Sequence, residues 1–248
     1  MPVNFINMTE AEFLQTRLIY KNMPLENALL SLKEKYVWFA NPVEWTDPFE
    51  KKFIKGKYKV KGTEHCYPWF SQIFCACFTQ ASTSEAYWNI YSQKQIGVTL
   101  KFNRQKLLEA LSKSNHDVYI GPVQYEKTNI INSPLSLIPF LKDCIPLNLN
   151  NKLLRAKLIL LKRKSYEYEK EIRIIIIKKN KTQEKGIKLP FQMEPNEIID
   201  SITIDPHVGS CMEEFIKSIF QNTYGFAKLK IQKSYLYDED RCSKIISL

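Results

Sequence analysis

The segment that most constrains the fold is a nearly unbroken run of isoleucine close to residue 175. Ile172 is followed by Arg173 and then by four consecutive isoleucines at positions 174–177. Side chains branched at Cβ favour extended backbone, and this much apolar surface has to be buried. We therefore predict that the run is a β-strand.

Three charged residues stand at the start of this predicted strand. Side chains alternate between the two faces of a strand, so Glu169, Glu171 and Arg173 should share one face while Ile172 occupies the other. Charges at the end of an apolar strand are costly to bury unless they are paired or used in chemistry. This face is the best candidate for a functional site, and the alternative is an edge strand that charges protect from aggregation.

The size and the apolar pattern indicate one domain spanning residues 1–248, long enough to bury a core of its own. No apolar run approaches the ~20 residues that cross a bilayer, and the amino terminus lacks the pattern of a signal peptide. We expect a cytoplasmic protein without membrane contact. In that reducing compartment the six cysteines should remain free thiols.

The basic excess favours polyanionic partners. The formal net charge is +10, from 36 Lys and Arg against 26 Asp and Glu. The densest basic segment would present Lys55, Lys57, Lys59 and Lys61 on one side if it were extended. Because lysine neutralises phosphate as a point charge, this segment predicts nonspecific nucleic-acid contact. A lysine-protected edge strand and an ordinary solvated surface are the alternatives.

Short strands and short helices alternate along the chain, which indicates an α+β fold. Strands are predicted over 17–21, 36–40, 73–78, 98–102, 118–125, 198–204 and 227–234. Helices are predicted over 25–33, 104–112, 149–164 and 211–220, and segment 43–50 is predicted to be an ordered loop. The last strand, helix and strand in this series predict a compact βαβ-like unit.

Metal and nucleophile chemistry have weak support in the sequence. His65, Cys66, Cys75 and Cys77 could supply four zinc ligands, but their spacing is wrong for a zinc knuckle. Cys75 and Cys77 also lie inside an apolar run, where cysteine commonly packs as a small hydrophobe. No histidine lies in a recognisable nucleophile motif and no glycine-rich phosphate loop is present. We predict no metal site.

Polar residues at predicted strand ends are interleaved with aromatic residues at four places in the chain. Aromatic walls hold planar rings, lysine binds phosphate, and a glutamate can hydrogen-bond a ribose hydroxyl while stabilising an oxocarbenium ion. The pattern predicts a cleft for nucleotide-glycosyl chemistry, although each tryptophan taken alone could be an ordinary core residue. The four places are Tyr20-Lys21, Trp38 with segment 41–50, Trp88 with Tyr91, and Glu169 with Glu171.

A series of short strings resembles a known family. The strings are Leu18-Ile19-Tyr20-Lys21, residues 37–42, Asp47-Pro48-Phe49-Glu50, Cys77-Phe78-Thr79, residues 87–91, Gly97-Val98, Val123-Gln124-Tyr125, and Tyr168-Glu169-Lys170-Glu171-Ile172-Arg173. In content and order they resemble the blocks of the bacterial family known as domain of unknown function 2971, over residues 17–235. That family is similar to AbiGi-type abortive-infection proteins, and its block order is similar to that of ADP-ribosyltransferases.

The resemblance implies a split, mixed β-sheet with flanking helices and an ADP-ribosyltransferase-like core that uses NAD. It implies that Glu171 stabilises the ribosyl cation and that Glu169 orients it. Lys21 stands where the pattern has a His or Arg that contacts NAD, and Thr46 stands where many members have asparagine. The implied cofactor-binding residues are Lys21, Trp38, Asn41, Asp47, Trp88, Tyr91 and Arg173.

The functional expectation is a toxin-like effector of bacterial antiviral defence that cleaves NAD and modifies a protein or nucleic acid. Two alternatives remain open. The first is a nucleic-acid-binding module or a nuclease whose metal is held by Asp47, Glu50, Glu169 or Glu171. The second is a noncatalytic sensor or partner subunit of a defence system.

Overall fold

A computed structural model describes residues 3–55, 57–60, 63–66, 71–82, 84–92, 96–132, 139, 151–180, 182–223 and 229–237. The chain forms two compact units, each assembled from separate stretches of sequence. Unit 1 comprises Met1–Thr16, Val37–Gln80 and Leu108–Pro190, and unit 2 comprises Arg17–Tyr36, Ala81–Leu107 and Phe191–Leu248. The prediction of a single domain stays a prediction.

The elements are numbered in chain order. The strands are β1 (Val3–Phe5), β2 (Leu18–Pro24), β3 (Tyr36–Ala40), β4 (Lys57–Val60), β5 (Thr63–Cys66), β6 (Ile73–Thr79), β7 (Gly97–Asn103), β8 (Asp117–Pro122), β9 (Gln124–Glu126), β10 (Leu161–Arg163), β11 (Glu171–Ile177), β12 (Gly186–Pro190), β13 (Ile199–Ile204) and β14 (Lys230–Lys233). The α-helices are α1 (Glu10–Leu14), α2 (Leu25–Lys33), α3 (Pro48–Lys55), α4 (Glu85–Tyr91), α5 (Arg104–Ser112), α6 (Thr128–Asn132), α7 (Lys152–Ile159), α8 (Pro195–Ile198) and α9 (Ser210–Ser218).

The main sheet of unit 1 is mixed and has β11 in its interior. Its strands run in the order β1, β8, β11, β6, with β1 parallel to β8 and with β11 antiparallel to both β8 and β6. Every residue of β11 is buried. The prediction that the isoleucine run is a strand is confirmed, and the edge-strand alternative is wrong because both sides of β11 are paired.

The two faces of β11 have different neighbours. Ile175 and Ile177 lie in a cluster of buried apolar side chains. The same cluster includes Leu154, Leu158 and Ile159 of α7. Because alternate residues share a face, Glu171 and Arg173 lie on the side of β11 that faces this cluster. Helix α7 thus covers the same face of the sheet that holds the charged residues.

The helix predicted over 149–164 is shorter than its leucine spacing indicates. In the structure α7 ends at Ile159, and Leu161–Arg163 form β10, which pairs in parallel with β9. A 3₁₀ helix over Lys164–Glu169 follows, so β11 begins only at Glu171. The prediction was wrong beyond Ile159 because pairing with β9 outweighs the weak local preference for helix.

The backbone of Ile6 lies close to Gly121 of β8. A Cβ atom at this position would lie 2.8 Å from the carbonyl oxygen of Ile6 and 2.8 Å from Cδ1 of Leu160. We expect Gly121→Ala to lower the free energy of unfolding by about 1–3 kcal/mol, because backbone has to move to admit the methyl group. Urea denaturation of the two proteins measures this difference, and unchanged stability would contradict the packing described here.

Unit 2 contains its own set of paired strands in the order β2, β7, β13, β14. Strand β7 is antiparallel to β2 and to β13, whereas β13 and β14 are parallel and are joined through α9. The predicted βαβ-like unit is confirmed. Both units have mixed pairing with helices between the strands, so the predicted α+β class and mixed sheet are confirmed as well.

The described residues contain no helix that combines the length and the apolar character needed to span a membrane.

Candidate active site

A cluster of buried charged side chains in unit 1 is centred on the first residues of β11. Arg173 donates two hydrogen bonds to Glu171, from Nε to Oε1 at 3.0 Å and from a terminal nitrogen to Oε2 at 3.0 Å. The side chains of Arg173 and Glu171 are 2% and 5% exposed. This paired, two-point geometry fixes the orientation of the carboxylate, as it does in other arginine–carboxylate pairs.

Arg173 also holds three other groups in place. Its guanidinium donates to the carbonyl oxygen of Ile159, at the end of α7, and forms an ion pair with Glu50 from α3. The ring of Trp45 lies 4.4 Å from the guanidinium carbon, within cation–π range. Arg173 thus connects β11 to α7, to α3 and to the segment that precedes α3.

Lys162 connects the two glutamates that the sequence placed on one face. Its ammonium lies 2.5 Å from Oε2 of Glu169 and 3.1 Å from Oε2 of Glu171. Lys162 is the central residue of β10 and points toward β11 because β10 is extended rather than helical. Sequence reasoning missed Lys162, since the predicted helix gave it no particular direction.

Glu169 reaches this cluster by a route that differs from the prediction. It is the last residue of the 3₁₀ helix and not part of the strand, and Lys170 after it has the left-handed φ of 42°. The turn is held from β6, because Thr79 Oγ1 donates to the Glu169 carbonyl at 2.6 Å and Gln80 N donates to the Lys170 carbonyl at 3.1 Å. The two carboxylates consequently share one ammonium, although only Glu171 lies in the strand.

The environment shifts the pKa values of these two carboxyls in opposite directions. Burial alone would raise the pKa of Glu171, but the charges of Arg173 and Lys162 outweigh it and lower this pKa to about 2. For Glu169 burial outweighs the attraction of Lys162, so the pKa is raised. A pair of acids with divergent pKa values is the usual basis for assigning different roles in catalysis.

Two further side chains complete the surroundings of Glu171. The backbone N–H of Glu171 donates to the hydroxyl oxygen of Tyr125 at 2.8 Å, and burial raises the pKa of that phenol. The thiol of Cys77 hydrogen-bonds the Glu171 carboxylate, and its own pKa is raised well above the usual value by the hydrogen bond with Cys75 and by burial. Both groups therefore stay protonated next to an ionised carboxylate.

Asp47 was predicted as a binding residue within an ordered loop, but it directly precedes a helix. Its Oδ1 accepts a hydrogen bond from Phe49 N at 2.8 Å at the start of α3, which corrects the loop prediction for residues 48–50. Its Oδ2 lies 3.1 Å from a guanidinium nitrogen of Arg163, whose guanidinium carbon is 4.4 Å from the centre of the Phe49 ring. By starting α3 here, Asp47 positions Glu50 to reach Arg173.

Trp38 and Asn41 have structural contacts within unit 1. The Asn41 side chain caps a 3₁₀ helix over Pro42–Glu44 by accepting from Val43 N at 3.0 Å. The ring of Trp38 packs directly against Gly186 of β12, where an added Cβ would lie 2.1 Å from ring atom Cζ2. Their predicted roles in cofactor binding stay predictions.

The remaining predicted binding residues belong to unit 2. Lys21 lies in β2 opposite Leu100 of β7 and is half-buried. Trp88 lies in α4 and is buried, and Tyr91 is the last residue of the same helix. The side chain of Tyr91 is outside the described residues, and the prediction that these three residues converge with Glu171 stays a prediction.

The predicted basic segment is divided between two elements. Lys57 and Lys59 lie in β4, which pairs antiparallel with β5, so the extended conformation is confirmed for them. Lys55 is instead the last residue of α3, so the extended conformation considered for this segment does not include it. Lys61 and the side chains of this segment lie outside the described residues.

The carboxylates proposed for a metal-dependent nuclease are each bound to a basic side chain. Asp47 pairs with Arg163, Glu50 with Arg173, and Glu169 and Glu171 with Lys162. Among the described residues no group of three or more His, Cys, Asp or Glu side chains is placed to hold a metal ion. Each of these carboxylates is thus engaged in an ion pair with a side chain of the protein, unlike the carboxylates of an open cation site.

Part of the chain is similar to a known protein family. No curated protein matches the chain. Residues 87–174 match the model of a family described as "Protein of unknown function (DUF2971)". The match includes Glu169, Glu171 and Arg173 but covers less than half of the chain, and the wider resemblance over 17–235 stays a prediction. Within the matched residues, the chain is similar to a family whose activity is not defined.

Proposed function

We propose that the cluster around Glu171 is the catalytic centre of an ADP-ribosyltransferase-like enzyme that uses NAD. The observation that supports this proposal best is the pair of glutamates on one ammonium, with the pKa of Glu171 lowered to about 2 and that of Glu169 raised. One carboxylate is kept ionised at every physiological pH. The carboxylate of Glu169, whose pKa is raised, accepts a proton more readily.

The chemistry requires a fixed negative charge beside the sugar. When the bond between ribose C1′ and the nicotinamide nitrogen breaks, its electron pair leaves with nicotinamide and a cationic ribosyl centre remains. A buried carboxylate stabilises that charge strongly because little water screens it. Glu171 meets this requirement without reorganisation, since Arg173 already holds both of its oxygens.

Transfer to an acceptor requires a base next to that charge. A nucleophilic oxygen or nitrogen of the acceptor forms the new bond to C1′, and its proton has to be removed. Glu169 is suited to this role because its pKa is raised and its side chain, 15% exposed, is the more accessible of the two glutamates. In this scheme Lys162 keeps the two carboxylates together and limits their mutual repulsion.

The remaining parts of the proposal rest on the sequence resemblance. Lys21, Trp38, Asn41, Asp47, Trp88 and Tyr91 are proposed to contribute to NAD binding. The acceptor is proposed to be a protein or nucleic acid, and the biological role a toxin-like effector of antiviral defence. The nuclease alternative loses support, because each of its proposed metal ligands is paired with a cation.

Nicotinamide release from NAD tests the catalytic role of Glu171. We expect Glu171→Gln to reduce the rate about 10²- to 10³-fold, because the neutral amide cannot stabilise the ribosyl cation. The matched control is Glu184→Gln, which removes a carboxylate of the same unit that pairs with Lys178 at the surface. Thermal melts of all three proteins establish that each is folded at the assay temperature.

The outcomes separate the candidate functions. Equal turnover by the protein and by Glu171→Gln contradicts the assignment of Glu171. Absence of nicotinamide release with every protein and nucleic-acid acceptor offered contradicts NAD chemistry as a whole. Cleavage of nucleic acid that depends on added Mg²⁺ would instead favour the nuclease.

A further inference from the structure

Unit 2 contains a cavity that plays no part in the chemistry described above. Its volume is about 460 Å³, within the range of small-molecule sites in proteins. The side chains that define its character are Glu213 and Lys217 of α9, Gln232 and Lys233 of β14, and Tyr235 and Tyr237 just after β14.

The position of this cavity follows from the topology of unit 2. Strands β13 and β14 are parallel neighbours, and α9 connects them. The cavity is lined by Pro206, just beyond the carboxyl end of β13, and by residues at and beyond the carboxyl end of β14. Loops at the carboxyl ends of parallel strands are where α/β units bind ligands, because side chains and helix amides converge there.

The aromatic wall of the cavity consists of two tyrosines. Tyr235 and Tyr237 are among the exposed large side chains of the described residues, at 45% and 48% exposure. The Tyr237 ring packs against His207 with 4.9 Å between the ring centres, and the Tyr235 hydroxyl donates to Gln232 at 3.3 Å. The rings are thereby held in place while much of their surface stays open to a planar ligand.

The charged wall has a surplus of positive charge. Lys217 pairs with Glu213 at 2.6 Å, so these two charges balance each other. The ammonium of Lys233 donates to the carbonyl oxygen of Val208 at 3.3 Å, a neutral partner, and no carboxylate within the described part of the chain forms an ion pair with it. An anionic group would be attracted to Lys233, with Lys217 as the second cation of the cavity.

We propose that this cavity binds a nucleoside phosphate. The base stacks on Tyr235 or Tyr237, and the phosphate lies at Lys233 and Lys217. A planar ring joined to an anion matches both walls, whereas inorganic phosphate matches only the cationic wall and a nucleoside only the aromatic one. This proposal goes beyond the proposed NAD chemistry and does not depend on it, because none of the residues that line the cavity is among those proposed to bind or cleave NAD.

Calorimetric titration with adenosine 5′-monophosphate tests the proposal directly. We expect saturable binding, with adenosine and inorganic phosphate each binding at least about tenfold more weakly than the nucleotide. Tyr237→Leu and Lys233→Gln should each weaken binding about tenfold or more, because each removes one of the two recognition elements. Lys33→Gln, a change of an exposed lysine of α2 in the same unit, should leave binding unchanged.

Several results would overturn the assignment. Lack of binding by the unmodified protein excludes this cavity as the nucleotide site. The same conclusion follows if Tyr237→Leu and Lys233→Gln bind the nucleotide as tightly as the unmodified protein does. Binding of a single-stranded oligonucleotide without binding of the mononucleotide would indicate a nucleic-acid surface instead. Glu171→Gln should retain full affinity, and loss of affinity in that variant would place the bound nucleotide elsewhere. Failure of nicotinamide release leaves this prediction standing, so the two proposals are tested separately.

Discussion

Replacing Arg173 with methionine is expected to lower the free energy of unfolding by about 3–5 kcal/mol, as in other proteins where one partner of a buried ion pair is removed. Glu50 loses the cation it pairs with, Glu171 keeps only Lys162, and neither carboxylate is exposed enough for water to replace the guanidinium. The Ile159 carbonyl at the end of α7 also loses its donor. Urea denaturation monitored by circular dichroism measures the change.

A surface arginine provides the matched control for this substitution. Arg17 pairs with Asp200 in unit 2, but its side chain is 73% exposed. We expect Arg17→Met to change the free energy of unfolding by less than about 1 kcal/mol, because water solvates the remaining carboxylate. Similar effects of the two substitutions would show that the network around Arg173 contributes no more than a surface pair.

The second large effect is a loss of stability in acid that is specific to Glu171. Its pKa falls from 4.5 to about 2 on folding, so the folded protein binds this proton less tightly than the unfolded chain does. The resulting stabilisation is complete above pH 4.5 and disappears as the pH falls through about 2. This difference in pKa between the folded and unfolded states contributes about 3 kcal/mol to the free energy of unfolding at neutral pH, and the contribution is lost in strong acid.

The difference between the protein and Glu171→Gln isolates this contribution. The free energy of unfolding of the unmodified protein should fall by about 3 kcal/mol more than that of the variant between pH 5 and pH 2. The raised pKa of Glu169 acts with the opposite sign and at higher pH, because protonation of that group favours the folded state. Parallel pH profiles for the two proteins would show that Glu171 is not held ionised by its neighbours.

The strand that contains the candidate site could be predicted from sequence because its signal is local. Isoleucine runs specify extended backbone, and a period of two then assigns Glu171 and Arg173 to the same face. The observed hydrogen bonds between these two side chains confirm that assignment. The prediction that Glu169 belongs to the same strand was wrong, because the left-handed conformation of Lys170 interrupts the alternation of side chains.

The partners of that strand could not be found in the same way. Lys162 follows a leucine-rich stretch with helical spacing, and its extended conformation depends on pairing with β9, more than thirty residues earlier in the chain. Glu50 reaches Arg173 only because Asp47 starts a helix after a proline-rich segment. Contacts made across such separations in sequence leave no periodic pattern to detect.

The shared ion pairs of the cluster also restrict how such a chain can diverge. Arg173 pairs with two acids and Lys162 with two, and because Glu171 is common to both cations, three carboxylates share two positive charges. Loss of either cation alone leaves three largely buried carboxylates with a single cation, which is far more costly than loss of one carboxylate. A lineage that abandons this chemistry is therefore expected to lose its acids before its cations.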